Sequence, residues 1–205
     1  MDNNLEDKKY ELVEDDKIQV KGKTLYRIRA LKYFGDVNAG ELGGYVMSEK
    51  NLSHEGDCWV GENAKVYDTA KVIGNAQVCN HAHVYGSAIV RDNANVLGHA
   101  RVYEMAIVGG HARLNNRAHV YGKAAVGGHS IVAGKAQVYG HSQVHCCAMV
   151  YDNAKVNEYA RVEDSSEVYE NSKVCGYSVV CGDTKICGNE RIGGHEYVVD
   201  GFHIT

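Results

Sequence analysis

Aliphatic residues mark every sixth position from Val60 to Ile204. The series runs Val60, Val66, Val72, Val78, Val84 and Val90, and continues without insertion or deletion through Ile186, Ile192, Val198 and Ile204. Two residues before each tick, from position 64 to 184, stands a small residue. It is Ala except for Ser at 130, 142, 166, 172 and 178 and Thr at 184. Two residues after the tick come Gly, Asn, Asp or Glu in nearly every unit, residue types that tolerate a left-handed backbone. A six-residue period matches no 3.6-residue helical face. Each unit therefore reads as a short strand with its aliphatic residue turned inward, followed by a tight corner. Units that cannot bury a core alone must stack.

Upstream, residues 10–13, 17–20 and 24–31 read as short strands, with Glu14-Asp15-Asp16 and Lys21-Gly22-Lys23 as turns. Residues 34–44 read as a loop. Val46 and Leu52 keep the six-residue step, but Leu52 to Val60 is eight, which places a two-residue break near Glu55-Gly56-Asp57. The expected division is a polar tail at 1–8, an N-terminal β cap and first coil at 9–58, and the repeat at 59–205. The cap would cover an open sheet edge that otherwise invites aggregation. At the other end, Glu190, Glu196 and Phe202 fall in the small-residue slot, so inward charge and a bulky plug are expected to close the last coil.

The repeat resembles the transferase hexapeptide-repeat family, whose A/S-x-[LIV]-x-G-x pattern it follows over most of its length. The resemblance implies an all-β fold, a left-handed parallel β-helix with three hexapeptides per 18-residue coil. About eight coils at roughly 4.8 Å each give a prism on the order of 40 Å long. The left hand comes from the family, since parallel crossovers are otherwise right-handed. The segment Gly40-Glu41-Leu42-Gly43-Gly44-Tyr45-Val46, with Asn51-Leu52-Ser53 and Trp59-Val60, resembles phage- and prophage-type members. Those are usually labelled acyltransferases on the strength of the repeat alone.

Stacking at eighteen residues aligns Tyr67, Tyr85, Tyr103, Tyr121 and Tyr139 in one column. Lys65, His83, Arg101, His119 and Gln137 flank it on the same strands. This aromatic and cationic face is the expected binding surface for an anionic small molecule or a host protein, although stacked tyrosines also shield backbone. A second face carries Ile89, Ile107 and Ala125 with Gly109 and Gly127. An apolar strip of this kind is expected to self-associate, and the family resemblance implies a trimer. The third face, with Cys79, Leu97, Asn115, Ala133, Tyr151 and Tyr169, is mixed.

Composition narrows the classes further. With 22 Lys+Arg against 26 Asp+Glu the net charge is −4 and nucleic acid is not expected as the main partner. No stretch is apolar for long enough to span a membrane, and the acidic start Met1-Asp2-Asn3-Asn4 is unlike a targeting signal. Cytoplasm is expected. The 7 cysteines lack a C-x-x-C spacing and are expected as free thiols. Cys175, Cys181 and Cys187 fall on three different faces. Cys146-Cys147 with His141 and His145 is the compact Cys/His cluster, and His81/His99 and His111/His129 align in corner columns, but their spacing is not that of a metal site.

Family acyltransferases carry an extended loop that breaks the repeat, together with a basic His that deprotonates the acceptor. This chain has no such loop. The expected activity is therefore non-catalytic binding without cofactor, in a phage setting a counter-defence protein that sequesters a nucleotide-type signal or a host protein. The alternative is a coenzyme A-dependent acyltransferase using acetyl-CoA, with a corner His such as His99, His111 or His129 at a subunit cleft.

Overall fold

The computed structural model describes residues 8–204, and the expected polar tail lies outside them except for Lys8. Lys8 is not free: its Nζ pairs with Glu49 at 2.7 Å. The chain is an all-β parallel solenoid of about 9 turns of 18 residues, one more than expected, an architecture that fits a left-handed β-helix. Three sheets of eleven, nine and eight strands form its sides. Successive coils pair eighteen residues apart, as in His83↔Arg101↔His119 and Ile89↔Ile107↔Ala125.

The core is one column. The valines of the six-residue series and the small residues two before them are buried from Val60 and Ala64 to Ile186 and Thr184. Ala suits that slot because it lies under the backbone turn. Where Ser replaces it, the buried hydroxyl donates to the carbonyl three residues earlier: Ser172 Oγ to Tyr169 O at 2.6 Å, Ser178 Oγ to Cys175 O at 2.7 Å.

Every corner between Glu62 and Asp200 contains one left-handed residue. Its side chain explains why so many are acidic. Asp68 Oδ2 accepts the Gly86 N–H at 3.0 Å, Asp92 Oδ2 that of Gly110 at 2.8 Å, and Glu158 Oε2 that of Gly176 at 2.9 Å. Each acid thus satisfies a corner donor of the following coil that would otherwise be left unpaired. Glycine then suits the receiving corner. A Cβ on Gly86, at φ +70°, would stand 2.8 Å from Glu104 N.

The N-terminal cap extends the eleven-stranded sheet. Strand β1 (Tyr10–Val20) pairs antiparallel with β2 (Lys23–Ala30), β2 with β3 (Leu42–Val46), and β3 runs parallel to the first repeat strand. Two sequence expectations change here. Glu14, Asp15 and Asp16 do not separate two strands; they are a bulge inside β1, between Val13 and Lys17. Arg27 stabilises it by donating to Asp16 Oδ2 at 2.6 Å and to the Tyr45 hydroxyl at 2.5 Å. Residues 42–44, expected in a loop, belong to β3. Its Gly43 and Gly44 pass so close to the first coil that a Cβ would lie 2.5 Å from Val60 O and Ala64 O, respectively.

The two-residue break falls where expected: Leu52 bridges Val72, whereas Val60 pairs with Val78. Tyr10 and Phe34 close this end against Trp59, with ring centroids 6.5 and 5.5 Å away.

The C-terminal end differs from the expected plug. Glu196 is exposed and Glu190 half-buried, so the last coil does not carry buried charge. The final strand is also one residue out of step: Ile186 pairs with His203 and Cys187 with Ile204, while Phe202 pairs with Lys185. The register of this strand is thus shifted by one residue from the eighteen-residue spacing of the earlier coils.

Candidate anion-binding face

The candidate residues converge as their spacing required. On the eleven-stranded sheet, Lys65, His83, Arg101, His119 and Gln137 form one outward row in register. The same row continues through Lys155, Lys173 and Arg191. It carries no carboxylate over its whole length, and those last three cations were not among the sequence candidates.

A second basic column runs along the neighbouring corner: His81, His99, Arg117 and Lys135, each eighteen residues from the next. The rings of His81 and His99 stack at 5.0 Å. Between the row and the column, His99, Arg101, Arg117 and His119 line a cleft of about 320 Å³. An adjoining cleft of about 350 Å³ reaches Lys135. Among the described residues, no carboxylate pairs with Arg101 or Arg117. Two unpaired guanidinium groups on a rigid scaffold are suited to bidentate contacts with phosphate or carboxylate.

Burial keeps the histidines beside these cations neutral. His83 is pushed down to about 4 by burial first, then by Lys65, Arg101, Lys21 and His81. His119 is lowered by burial and by Arg101.

The five tyrosines form the expected ladder, with centroids 4.8–5.0 Å apart and planes within 3° of parallel. That geometry removes one expected role. Rings stacked on both sides have no face left for a ligand and offer only edges and hydroxyls. Burial raises the Tyr103 hydroxyl to about 12, so it remains a donor at neutral pH. Tyr67 is 1% exposed and packs with Leu25 and Tyr45 beneath the hairpin. The hairpin tip holds it there, with Lys23 paired to Asp68 and Lys21 Nζ 4.9 Å from the Tyr85 ring centroid. Tyr67 is thus core, and the accessible ladder begins at Tyr85.

A further aromatic column escaped the sequence reading. His141, Tyr159, Tyr177 and His195 stack on the same corner, two residues along the chain from the ladder positions. The eighteen-residue spacing was its only signal.

The apolar strip is short. Ile89, Ile107 and Ala125 lie in register, but Lys71 precedes them and Gln143 follows. With Arg91, Asp92 and His145, Ile107 and Ala125 border a cleft of about 220 Å³. Cys175 follows a strand of one sheet, Cys181 and Cys187 end strands of the other two, and all 7 cysteines are free. Among the described residues no group of three or more His, Cys, Asp or Glu is placed to share a metal, and no helix is long and apolar enough to cross a membrane. Searched against known protein families and curated proteins, the chain matches none of them.

Proposed function

We propose that this chain is a non-catalytic binding protein whose working surface is the cationic side of the solenoid, and that its ligand is anionic. The observation that carries the reading is the cleft of His99, Arg101, Arg117 and His119, two guanidinium groups flanked by two histidines with no acidic counterpart among its lining residues. A charged ligand would supply the missing negative charge, and a preformed scaffold loses little freedom in binding it. In a phage setting such a surface would sequester a nucleotide-type signal or a host protein. The strip of Ile89, Ile107 and Ala125 would join copies of the chain, as a trimer by the family resemblance.

The alternative, acyl transfer from acetyl-CoA, is disfavoured by the unbroken pairing from Val60 to Val198. No long loop interrupts it to shape an acceptor pocket.

Calorimetric titration with inorganic pyrophosphate tests the binding reading. Binding should weaken at least tenfold in Arg101→Gln/Arg117→Gln and fall with added salt. Absence of binding to pyrophosphate, or binding indifferent to both arginines, would sink it. Thiol release from acetyl-CoA in the presence of amine acceptors would favour the enzyme. Sedimentation of Ile107→Glu beside the unmodified chain tests the self-association.

A further inference from the structure

The basic cleft shares a wall with its neighbour. His99 and Arg117 line both, and the neighbour adds Asn116, Gly134 and Lys135. The first compartment opens on the sheet, where Arg101 and His119 are in register; the second follows the corner. The backbone N–H of His99 donates to Asn116 O, that of Arg117 to Gly134 O and that of Lys135 to Asp152 O, at 2.6–2.7 Å, so these corners stand on successive coils. Coils lie about 4.8 Å apart. Arg101, Arg117 and Lys135 thus climb the edge of the solenoid one coil at a time.

The charge pattern bounds this pair of compartments. Neither has a carboxylate in its lining. The next cleft along the corner, about 370 Å³, shares Gly134 and Lys135 but carries Asp152 and Glu170 in place of the arginines. Both acids are held by the corners above them: Asp152 Oδ2 accepts the Glu170 N–H at 3.3 Å and Glu170 Oε2 that of Gly188 at 2.6 Å. In the other direction the same corner reaches Glu62, two coils before Gly98. A long polyanion would have to run from the cations onto these fixed acids, and like charges repel it there. The cationic stretch therefore has room for a short ligand only.

Its charge also exceeds what one phosphate can neutralise. Arg101, Arg117 and Lys135 bring three formal positive charges. A phosphate monoester carries about −1.5 to −2 at neutral pH, so two of them match the three cations and one does not. Arg117 stands in the shared wall, and a planar guanidinium can present separate edges to two anions. We infer that the ligand of this face is a small molecule with two separate phosphate groups, one in each compartment, both contacting Arg117. The inference rests on the anion-binding reading of the same face and narrows it. The two phosphates must be joined by a linker on the order of one coil spacing, roughly 5 Å, and Lys135 belongs to the site as much as the arginines do.

The test is calorimetric titration at fixed ionic strength with propyl phosphate, propane-1,3-diyl bisphosphate, inorganic pyrophosphate and long-chain polyphosphate. The bisphosphate should bind at least about tenfold tighter than propyl phosphate, because its second group binds as a tethered partner. Lys135→Gln should weaken the bisphosphate at least about fivefold more than it weakens pyrophosphate, which fits within the first compartment. Polyphosphate, counted per site covered, should bind no tighter than the bisphosphate. Lys135 is exposed, so thermal unfolding of Lys135→Gln should match that of the unmodified chain, which keeps loss of binding apart from loss of folding. A bisphosphate no tighter than propyl phosphate, equal weakening of bisphosphate and pyrophosphate by Lys135→Gln, or tighter binding of polyphosphate would overturn the inference. If pyrophosphate still binds through Arg101 and Arg117 in that case, the general reading stands and this one fails. If no phosphate compound binds, both fail.

Discussion

Asn51 gives the sharpest test of how the solenoid is closed at its start. It is 1% exposed at the end of a 3-10 turn, Glu49–Asn51, on the side where the first coil lacks a proper strand. Its backbone N–H turns back to Ser48 O at 3.0 Å. Its side-chain amide supplies what the missing strand would have donated: Nδ2 to Ala70 O at 2.9 Å and to Asp68 O at 3.1 Å. Oδ1 meanwhile accepts from Ser48 N at 2.9 Å. In Asn51→Ala the fully buried Ala70 carbonyl loses its donor at about 1–3 kcal/mol, and the two part-buried contacts add about 0.5–1.5 kcal/mol each. A total of about 3 kcal/mol is expected. Because each coil touches only its neighbours, the loss should remain local. Hydrogen exchange should accelerate at Thr69 and Lys71 and stay unchanged around Val156 and Val174, and denaturant unfolding monitored by circular dichroism should show the reduced stability. A loss below about 0.5 kcal/mol, or exchange that accelerates evenly along the chain, would refute the view that this amide replaces strand hydrogen bonds.

Three other outcomes follow from the same contacts. Tyr103→Ala removes two ring stacks, at 5.0 and 4.8 Å, each worth about 0.5–1.5 kcal/mol beyond buried area; thermal unfolding should show a loss of about 3 kcal/mol, whereas Tyr103→Phe should be nearly neutral. His83 binds its proton less readily when folded, so the unfolded chain holds more protons between about 4 and 6.5. Stability should therefore rise with pH across that window and level off above it, and His83→Gln should flatten the rise; Lys65, Arg101, Lys21 and His81 are the charged or titratable groups that face the same ring. Ser172→Ala should change stability by less than about 1 kcal/mol, since Ala fills the same slot elsewhere, while Ser172→Val should cost about 2 kcal/mol by overpacking.

The repeat was legible because burial inside a three-sided tube permits one residue type per slot. A valine inward, a small residue under the turn and a left-handed corner leave a strict periodic trace. The candidate face was legible for the same reason, since residues eighteen apart must stack. What escaped depended on contacts outside that periodicity. Glu14, Asp15 and Asp16 look like a turn because nothing local shows that Arg27 and Tyr45 hold Asp16 across the strand pair. Ile204 fits the six-residue series in sequence, and nothing local shows that it pairs with Cys187 instead of Ile186. Glu196 reads as buried by analogy with the Ala slots of earlier coils, yet its side chain is exposed. The stacking rule could have extended the cationic row to Lys155, Lys173 and Arg191, but the tyrosines that marked the row stop at Tyr139. The unpaired Oδ1 of Asn157 required three-dimensional packing to be seen.

The uniform pairing between coils also makes length a countable trait. Each internal coil offers its neighbours the same hydrogen-bonding edges above and below, so duplication or loss of a whole block of eighteen codons would lengthen or shorten the shaft while leaving both ends as they are. A single-codon deletion in the same region would turn every later valine outward. The slip at Ile186 and His203 falls in the last described strand pair. Evolution of such a shaft should therefore proceed in whole coils, and related chains should differ in length by multiples of eighteen residues more readily than by one.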